Sequence, residues 1–525
     1  MKITQQISNW FLFLLLAVLM SCDLNEEPIF LDPSIYNSVP TAESARDGFY
    51  EGLAEYDAQE RRYFVANGFS GMFGTARNGN FVDNLHNSRL FSLKPVQDED
   101  SELMWGRLYT TISRTNAAIE NVMTVENPTS SKEVALNDVA GHAYFVRAWT
   151  YYYLVRLFGE IPLWVNLPSN TNFAVPTSKE IDIYQQIISD AKMAQNLMNG
   201  NSGIGYPTQH AANMLLAKVY MTIATNDLLK SNSLSERDYW QMAHDEAIKV
   251  YGASGPKGPF GLINDYGALF SSLEEENTIE SIFELQISEA ANNSQMGRNY
   301  TPFAYKLGQH YGWLVTMASV YDYHKATYPG DKRITGTYLS QYINAVNGNT
   351  VRVYPNSPRT NKNKPWYKWR NGHPYFYKFV EKNKQHQNQY NDQNIIIYRY
   401  ADLLLMLAEI SNELDKDADK MMYLEEVLDR AGVAARAEYF QGKEAFRDAI
   451  MDEYKFELLG EGEDFHNNRR RGFQYFLNNT IKRHNDLIGT AHYEEDFDLI
   501  LSEDESQVMK LPIPMTEINT NEFID

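Results

Sequence analysis

Apolar residues return at every third or fourth position through most of this 525-residue chain, and that period is the strongest constraint on what it can become. From Ser178 to Asn199 a single stripe collects Ile183, Tyr184, Ile187, Ile188, Ala191, Leu197 and Met198. At 3.6 residues per turn those side chains share one face, so the segment reads as an amphipathic helix. Thr177-Ser-Lys-Glu180 has the spacing of a capping box and is expected to start it. The same period covers residues 101–125, 137–158, 209–225, 236–251, 400–414, 419–431 and 443–459, which makes the chain mainly α.

Four of these stretches fall into two pairs: residues 211–220 with 239–251, and 401–412 with 422–432. Alanines at close-packing positions, with a Tyr a few residues on, resemble tetratricopeptide-type helix pairs. Such pairs bury their apolar stripes by stacking on neighbours, so a helical scaffold is expected. Residues 253–395 differ, being rich in Gly, Pro, Asn and aromatics, with β-like runs at 281–287 and 375–380. A second loop-rich insertion is expected at 61–94, and neither insertion reads as a domain with its own core. Residues 41–525 thus read as one domain.

The N-terminus carries different information. Lys2 precedes an unbroken apolar run, Trp10 to Met20, and then Ser21 and the single cysteine of the chain, Cys22. Eleven residues rise only ~16 Å as a helix against a bilayer core of ~30 Å, so residues 1–21 read as a signal peptide rather than a span. The Leu-x-Ser-Cys ending resembles the bacterial lipobox, which implies acylation of Cys22; an ordinary secretory signal containing a cysteine is the alternative. Acyl chains contribute about 0.8 kcal/mol per buried CH₂, so several on one cysteine would anchor the protein without a membrane span. Residues 22–40, polar and proline-bearing, read as a lipidated tether.

A net charge of -21 makes attraction to phosphate backbones unfavourable, so nucleic acid is excluded as a partner class. Sequence signatures for zinc hydrolysis, a serine nucleophile elbow or a phosphate-binding loop are absent, and no cofactor is expected. Glycosidase carboxylates have no fixed spacing, so a lipid-anchored glycoside hydrolase stays open as an alternative. Asp415-x-Asp417-x-Asp419 with Glu426 has partial calcium-loop spacing, but Lys420 stands where the loop wants Gly, and a solvated turn between helices is the simpler reading.

Aromatic residues are the compositional outlier, at 13% with 35 Tyr. Flat rings suit both helix packing and the C–H faces of sugars. Three groups are candidates for ligand contact, each with core packing as the competing reading. Tyr311 and Trp313 flank Gly312 on a loop; Trp366 and Trp369 lie among Lys and Asn in residues 362–370; Phe73, Arg77, Asn80, Asp83, Asn84 and His86 combine a ring with groups that read hydroxyls. Arg469-Arg-Arg471 reads as a structural cluster, with Glu461, Glu463 and Asp464 available as counter-charges.

Taken in order, the segments resemble one family, the SusD/RagB outer-membrane lipoproteins of nutrient uptake. The resemblance rests on the lipobox, on Trp105-Gly-Arg-Leu-Tyr-Thr-Thr-Ile-Ser-Arg-Thr-Asn116, and on HAYFVRAWTYYYLVRLFGEIPL from His142 to Leu163. Ala211 to Tyr220, VYDYHKATYPGDKR, YRYADLLLMLAEISNE from Tyr398 to Glu413, ELLGEGEDFHNNRRRG from Glu457 to Gly472 and Leu511-Pro-Ile-Pro514 complete it. Asp464 and Asn467 depart from the family pattern, which more often has Arg and Asp there. Asp23 with Glu26 and Glu27 resembles the family's acidic surface-export signal, and implies a lipid-anchored protein facing the cell exterior. The resemblance implies a SusD-like fold that acts without catalysis as the lid of a TonB-dependent SusC-like barrel, capturing an oligosaccharide or, in some members, a peptide. A helical-repeat adaptor that binds no small ligand is the remaining alternative.

Overall fold

The computed structural model describes residues 33–75, 90–94, 98–124, 126–167, 174–200, 202–253, 260–270, 276–288, 294–355, 373–382, 392–488 and 500–524. Its helices are α1 (Val39–Ala54), α2 (Tyr56–Gly68), α3 (Glu99–Asn121), α4 (Ser131–Phe158), α5 (Glu180–Leu197), α6 (Gln209–Ala224), α7 (Glu236–Tyr251), α8 (Met296–Tyr300), α9 (Ala318–Thr327), α10 (Arg333–Thr337), α11 (Tyr400–Glu413), α12 (Asp417–Ala431), α13 (Lys443–Leu458) and α14 (Asp464–Arg470), followed by shorter turns. Consecutive helices pack as pairs: α4 on α5, α6 on α7 and α11 on α12, with α7 also against α11. The chain is a helical scaffold of tetratricopeptide-like pairs. No helix among the described residues is long and apolar enough to cross a membrane.

Local chemistry explains the boundaries. Ser130 and Glu133 close a capping box at the start of α4, and Ser235 and Asp238 do the same for α7, each satisfying end N–H groups that the helix leaves without partners. The box expected at Thr177 does not form: Thr177–Ser178 pairs as a strand with Ile161–Pro162, and α5 begins after Lys179 without a side-chain cap. Helix α4 is buried nearly all round, because α3 and α5 flank it. Gly141 permits that contact, since a Cβ there would lie 2.8 Å from the Met198 backbone nitrogen.

Polar residues inside the helical layers are tied to one another. Arg147 on α4 donates from Nε and Nη2 to the two Asp190 oxygens on α5, both at 2.7 Å, and from Nη1 to Asn116 Oδ1 on α3 at 2.8 Å. All three are buried, so each must find a partner there. In the C-terminal half, Arg399 at the start of α11 reaches Glu461 at 2.7 Å, Glu457 at 2.5 Å and Glu280 at 3.0 Å. Arg430 shares Glu457 and Glu280, and Arg333 adds Asp331, Glu453 and Glu457. Burial by itself would raise Glu457, but Arg430, Arg399 and Arg333 hold it well below the usual carboxylate range.

The sheets are small and gather the loop-rich territory. Four antiparallel strands lie in the order Phe73–Thr75, Leu314–Thr316, Tyr375–Phe376, Tyr338–Leu339, so the 61–94 segment meets the 253–395 segment in one sheet. Ser281–Leu285 pairs with Ile395–Arg399 just before α11. Two expectations are corrected here. Residues 61–68 belong to α2 rather than to a loop, and the strand read at 375–380 is confined to Tyr375–Phe376. Residues 33–40, read as the end of a tether, are structured instead: residues 33–37 form a 3-10 turn whose Tyr36 is buried, and α1 starts at Val39.

Candidate functional site

The small four-stranded sheet ends at an aromatic loop. Tyr311 and Trp313 immediately precede the strand Leu314–Thr316, and both are half-buried. Gly312 between them has φ +54°, and a Cβ there would come within 2.8 Å of the Tyr375 ring and 2.9 Å of Pro302 Cα. Glycine therefore serves two needs, the left-handed conformation and the close approach. With this turn the two rings lie nearly parallel, 9° apart, with centroids at 5.2 Å.

The residues around the pair hold it in place. Arg298 lies over the Tyr311 ring at 4.3 Å and donates to the Tyr311 hydroxyl, while Phe64 meets the Trp313 ring edge-on at 5.5 Å. The Tyr311 N–H donates to the Arg298 carbonyl at 2.8 Å and the Trp313 N–H to the Asn299 carbonyl at 2.7 Å, so α8 is the shelf on which the loop rests. That shelf hangs from Glu60 on α2. Its carboxyl accepts from the Gln295 N–H, and from Asn299 Nδ2 at 2.8 Å. Burial pushes Glu60 up to about 8, against the lowering effect of those bonds. Stacking commits one face of each ring to the other, and Arg298 also covers Tyr311. Trp313 is held against Tyr311 and Phe64 and stays part-exposed.

The other sequence candidates divide sharply. Phe73 is fully buried in the sheet, edge-on to Phe376 at 5.3 Å, and is a core residue rather than a ligand contact. Arg77, Asn80, Asp83, Asn84 and His86, the Trp366 and Trp369 cluster and Cys22 lie outside the described residues. Phe64, Arg298, Asn299 and Glu60 were missed by the sequence reading. They sit on helices with no local motif, and the nearest signal was the Arg298 spacing before a Tyr-Gly-Trp turn.

The arginine cluster is structural, but its partners are not the expected ones. Arg470 pairs with Glu409 on α11 at 2.5 Å, Arg471 with Asp448 at 3.0 Å, and Arg469 donates to backbone carbonyls. Glu461 goes to Arg399 and Lys378, and Glu463 to Arg156 and Lys218. Asp464, one of the departures from the family pattern, accepts the Gly460 N–H at 2.6 Å, and burial pushes it up to about 7. The acids of the calcium-like loop do not converge: Asp415 pairs with Arg237 and Lys443, and Asp417 with Lys420.

Two family models match the chain, one described as the SusD family over residues 279–525, the other as starch-binding associating with outer membrane over residues 37–221. The chain belongs to the SusD/RagB family. Among SusD/RagB relatives, it is 24% identical to SusD-like protein P2 of Formosa agariphila, covering 94% of this chain and 95% of that protein. Its fold is similar to that of a SusD homolog from Bacteroides thetaiotaomicron, with TM-score 0.73 and 20% identity over 93% of this chain and 96% of that one. It is also similar to surface glycan-binding protein A of the same organism, solved in complex with laminarihexaose, with TM-score 0.69 and 16% identity over 92% and 98% of the two chains. These likenesses fix the SusD fold of the chain.

Proposed function

We propose that this SusD/RagB protein is a cell-surface lipoprotein that captures an oligosaccharide, with a peptide as the less favoured ligand, and hands it to a TonB-dependent SusC-like transporter as its lid. The observation that carries the reading is the Tyr311–Trp313 pair: two stacked rings on a loop, braced by Arg298 and by the shelf that Glu60 holds. A braced ring has little rotamer entropy left to lose on binding, so its apolar face can meet the C–H face of a sugar at small cost. Support comes from the family description, starch-binding associating with outer membrane, and from the relative solved with laminarihexaose.

In this reading Cys22 is acylated and holds the protein in outer-membrane lipid, facing the exterior, while the following segment leaves the lid free to move. Trp366 and Trp369, with Arg77, Asn80, Asp83 and Asn84, complete the ligand surface from the two insertions. The chain performs no catalysis. Ligand closure follows from differential affinity, because a ligand that touches both lid and barrel favours the closed state by the free energy of the added contacts. The test is purification from native membranes. The protein should co-purify with a much larger barrel, label with palmitate through Cys22 and leave a bound glycan chemically unchanged. Product formation abolished by a single carboxylate-to-amide change would replace this reading with a hydrolase.

A further inference from the structure

A cavity lies on the helical scaffold, built by other residues than the aromatic loop. It encloses about 490 Å³ between α4, α5 and α6 on one side and α13, α14 and the segment around Lys510 on the other. That volume is within the usual range for small-molecule sites. Its wall carries Arg156, Lys218, His466, Arg469, Arg470 and Lys510.

Charge is not evenly compensated there. Arg156 pairs with Glu463 at 3.1 Å, Lys218 with Asp402 at 2.8 Å, Lys510 with Glu180 at 3.3 Å, and Arg470 with Glu409. Arg469 differs. Its donors go to the carbonyls of Val508, Phe465 and Phe69, and its guanidinium lies between the rings of Phe465 at 3.8 Å and Phe476 at 4.2 Å. Carbonyls and ring faces satisfy the hydrogen bonds of a guanidinium but bring no negative charge, and arginine does not deprotonate in proteins. The wall also carries Arg471, paired with Asp448, and the acids Asp227 and Glu505, and among its described cations Arg469 is the one that no carboxylate pairs.

His466 stands in that field. It is only 6% exposed, and neither ring nitrogen has a hydrogen-bond partner among the described residues. A buried imidazole in this state forfeits its hydrogen bonds unless something enters the cavity to accept one. Burial, then Arg156, with Arg469 and Lys510 adding to it, lowers its protonation well below the ordinary histidine range, while Glu463 acts in the opposite sense. The charges that act most on the ring are thus those of Arg156, Arg469 and Lys510 against that of Glu463.

We infer that this cavity is a second binding site, for the carboxylate of a small molecule about the size of a sugar acid or a capped dipeptide. The carboxylate would accept the N–H of His466 and supply the negative partner that Arg469 lacks. The inference does not depend on the aromatic loop, and the two readings fail separately.

Calorimetry on the full mature chain tests it with two matched pairs of probes: glucuronate against methyl glucoside, and N-acetylglycylglycine against its amide. The charged member of at least one pair should bind at least about tenfold more tightly than its neutral partner, and the pair that does so identifies the source of the carboxylate. His466→Phe, with folding checked by circular dichroism, should reduce that binding at least about tenfold while binding of neutral glycan is unaffected. Equal affinities within both pairs, or no binding by either acid, would overturn the site on the unaltered chain. Undiminished binding of the acid by folded His466→Phe would overturn the assignment to this cavity.

Discussion

The buried charge web around Arg399 and the aromatic loop at Tyr311–Trp313 are both polar-aromatic clusters, yet they are built on opposite principles. In the web, Arg399, Arg430 and Arg333 face Glu280, Glu453, Glu457 and Asp331 with nearly no solvent exposure, so every charge has been matched inside the protein. At the loop, Arg298 and Tyr311 are matched to each other while Trp313 keeps exposed surface. A site whose charges are all paired specifies structure; one that leaves a braced ring part-exposed can still gain contacts from a ligand. The comparison separates residues that hold the SusD fold from those that can serve capture.

The largest break in the comparison is on the web side. Arg399→Ala leaves Glu457, Glu461 and Glu280 buried with fewer counter-charges, and should cost about 3–5 kcal/mol of stability. Urea denaturation measures it, and an unchanged midpoint would mean that the web is not structural. Phe73 sharpens the boundary from the loop side. As a core ring, Phe73→Leu should lower stability by about 1–2 kcal/mol and leave ligand affinity unchanged. An affinity loss with no stability change would return Phe73 to the ligand surface.

A smaller effect distinguishes the two regions by pH. Glu457 is held low, so its contribution is present above pH 4.5, its ordinary value, and is lost as pH falls toward its folded value. Glu60 has the opposite sign. Its carboxyl rises from 4.5 to about 8, so the native state binds more protons than the unfolded chain in that window, and this contribution is lost as pH rises through it. Thermal melts of Glu60→Gln should show a shallower loss of stability between these two values than the parent chain. An identical slope would mean that burial does not keep Glu60 protonated in the folded chain.

How much of this was legible follows from the kind of interaction involved. Helices such as α7 were readable to the residue, because a period of 3.6 and a Ser235 cap are local. The run Tyr398 to Glu413 was also informative, because Arg399, Asp402, Glu409 and Glu413 each pair with a charge on another segment. The expected box at Thr177 failed because a strand elsewhere claimed its backbone. The acids next to Arg469 in sequence pointed to the wrong partners, since the turn into α14 sends Glu463 toward Arg156 and Lys218. Phe73 and Trp313 look alike in a sequence, and only the sheet that buries one and edges the other separates them. The His466 cavity had no local signature, because its walls come from seven separate segments.

The most direct measurement is calorimetric titration of the mature chain with laminarihexaose, maltohexaose and an acidic peptide, repeated with Trp313→Ala and with product analysis afterwards. The account predicts that one of the glycans binds, is recovered intact, and loses at least about tenfold in affinity, roughly 1.4 kcal/mol, when the Trp313 ring is removed. Glycan affinity unchanged in a folded Trp313→Ala protein, or a glycan recovered cleaved, would contradict it.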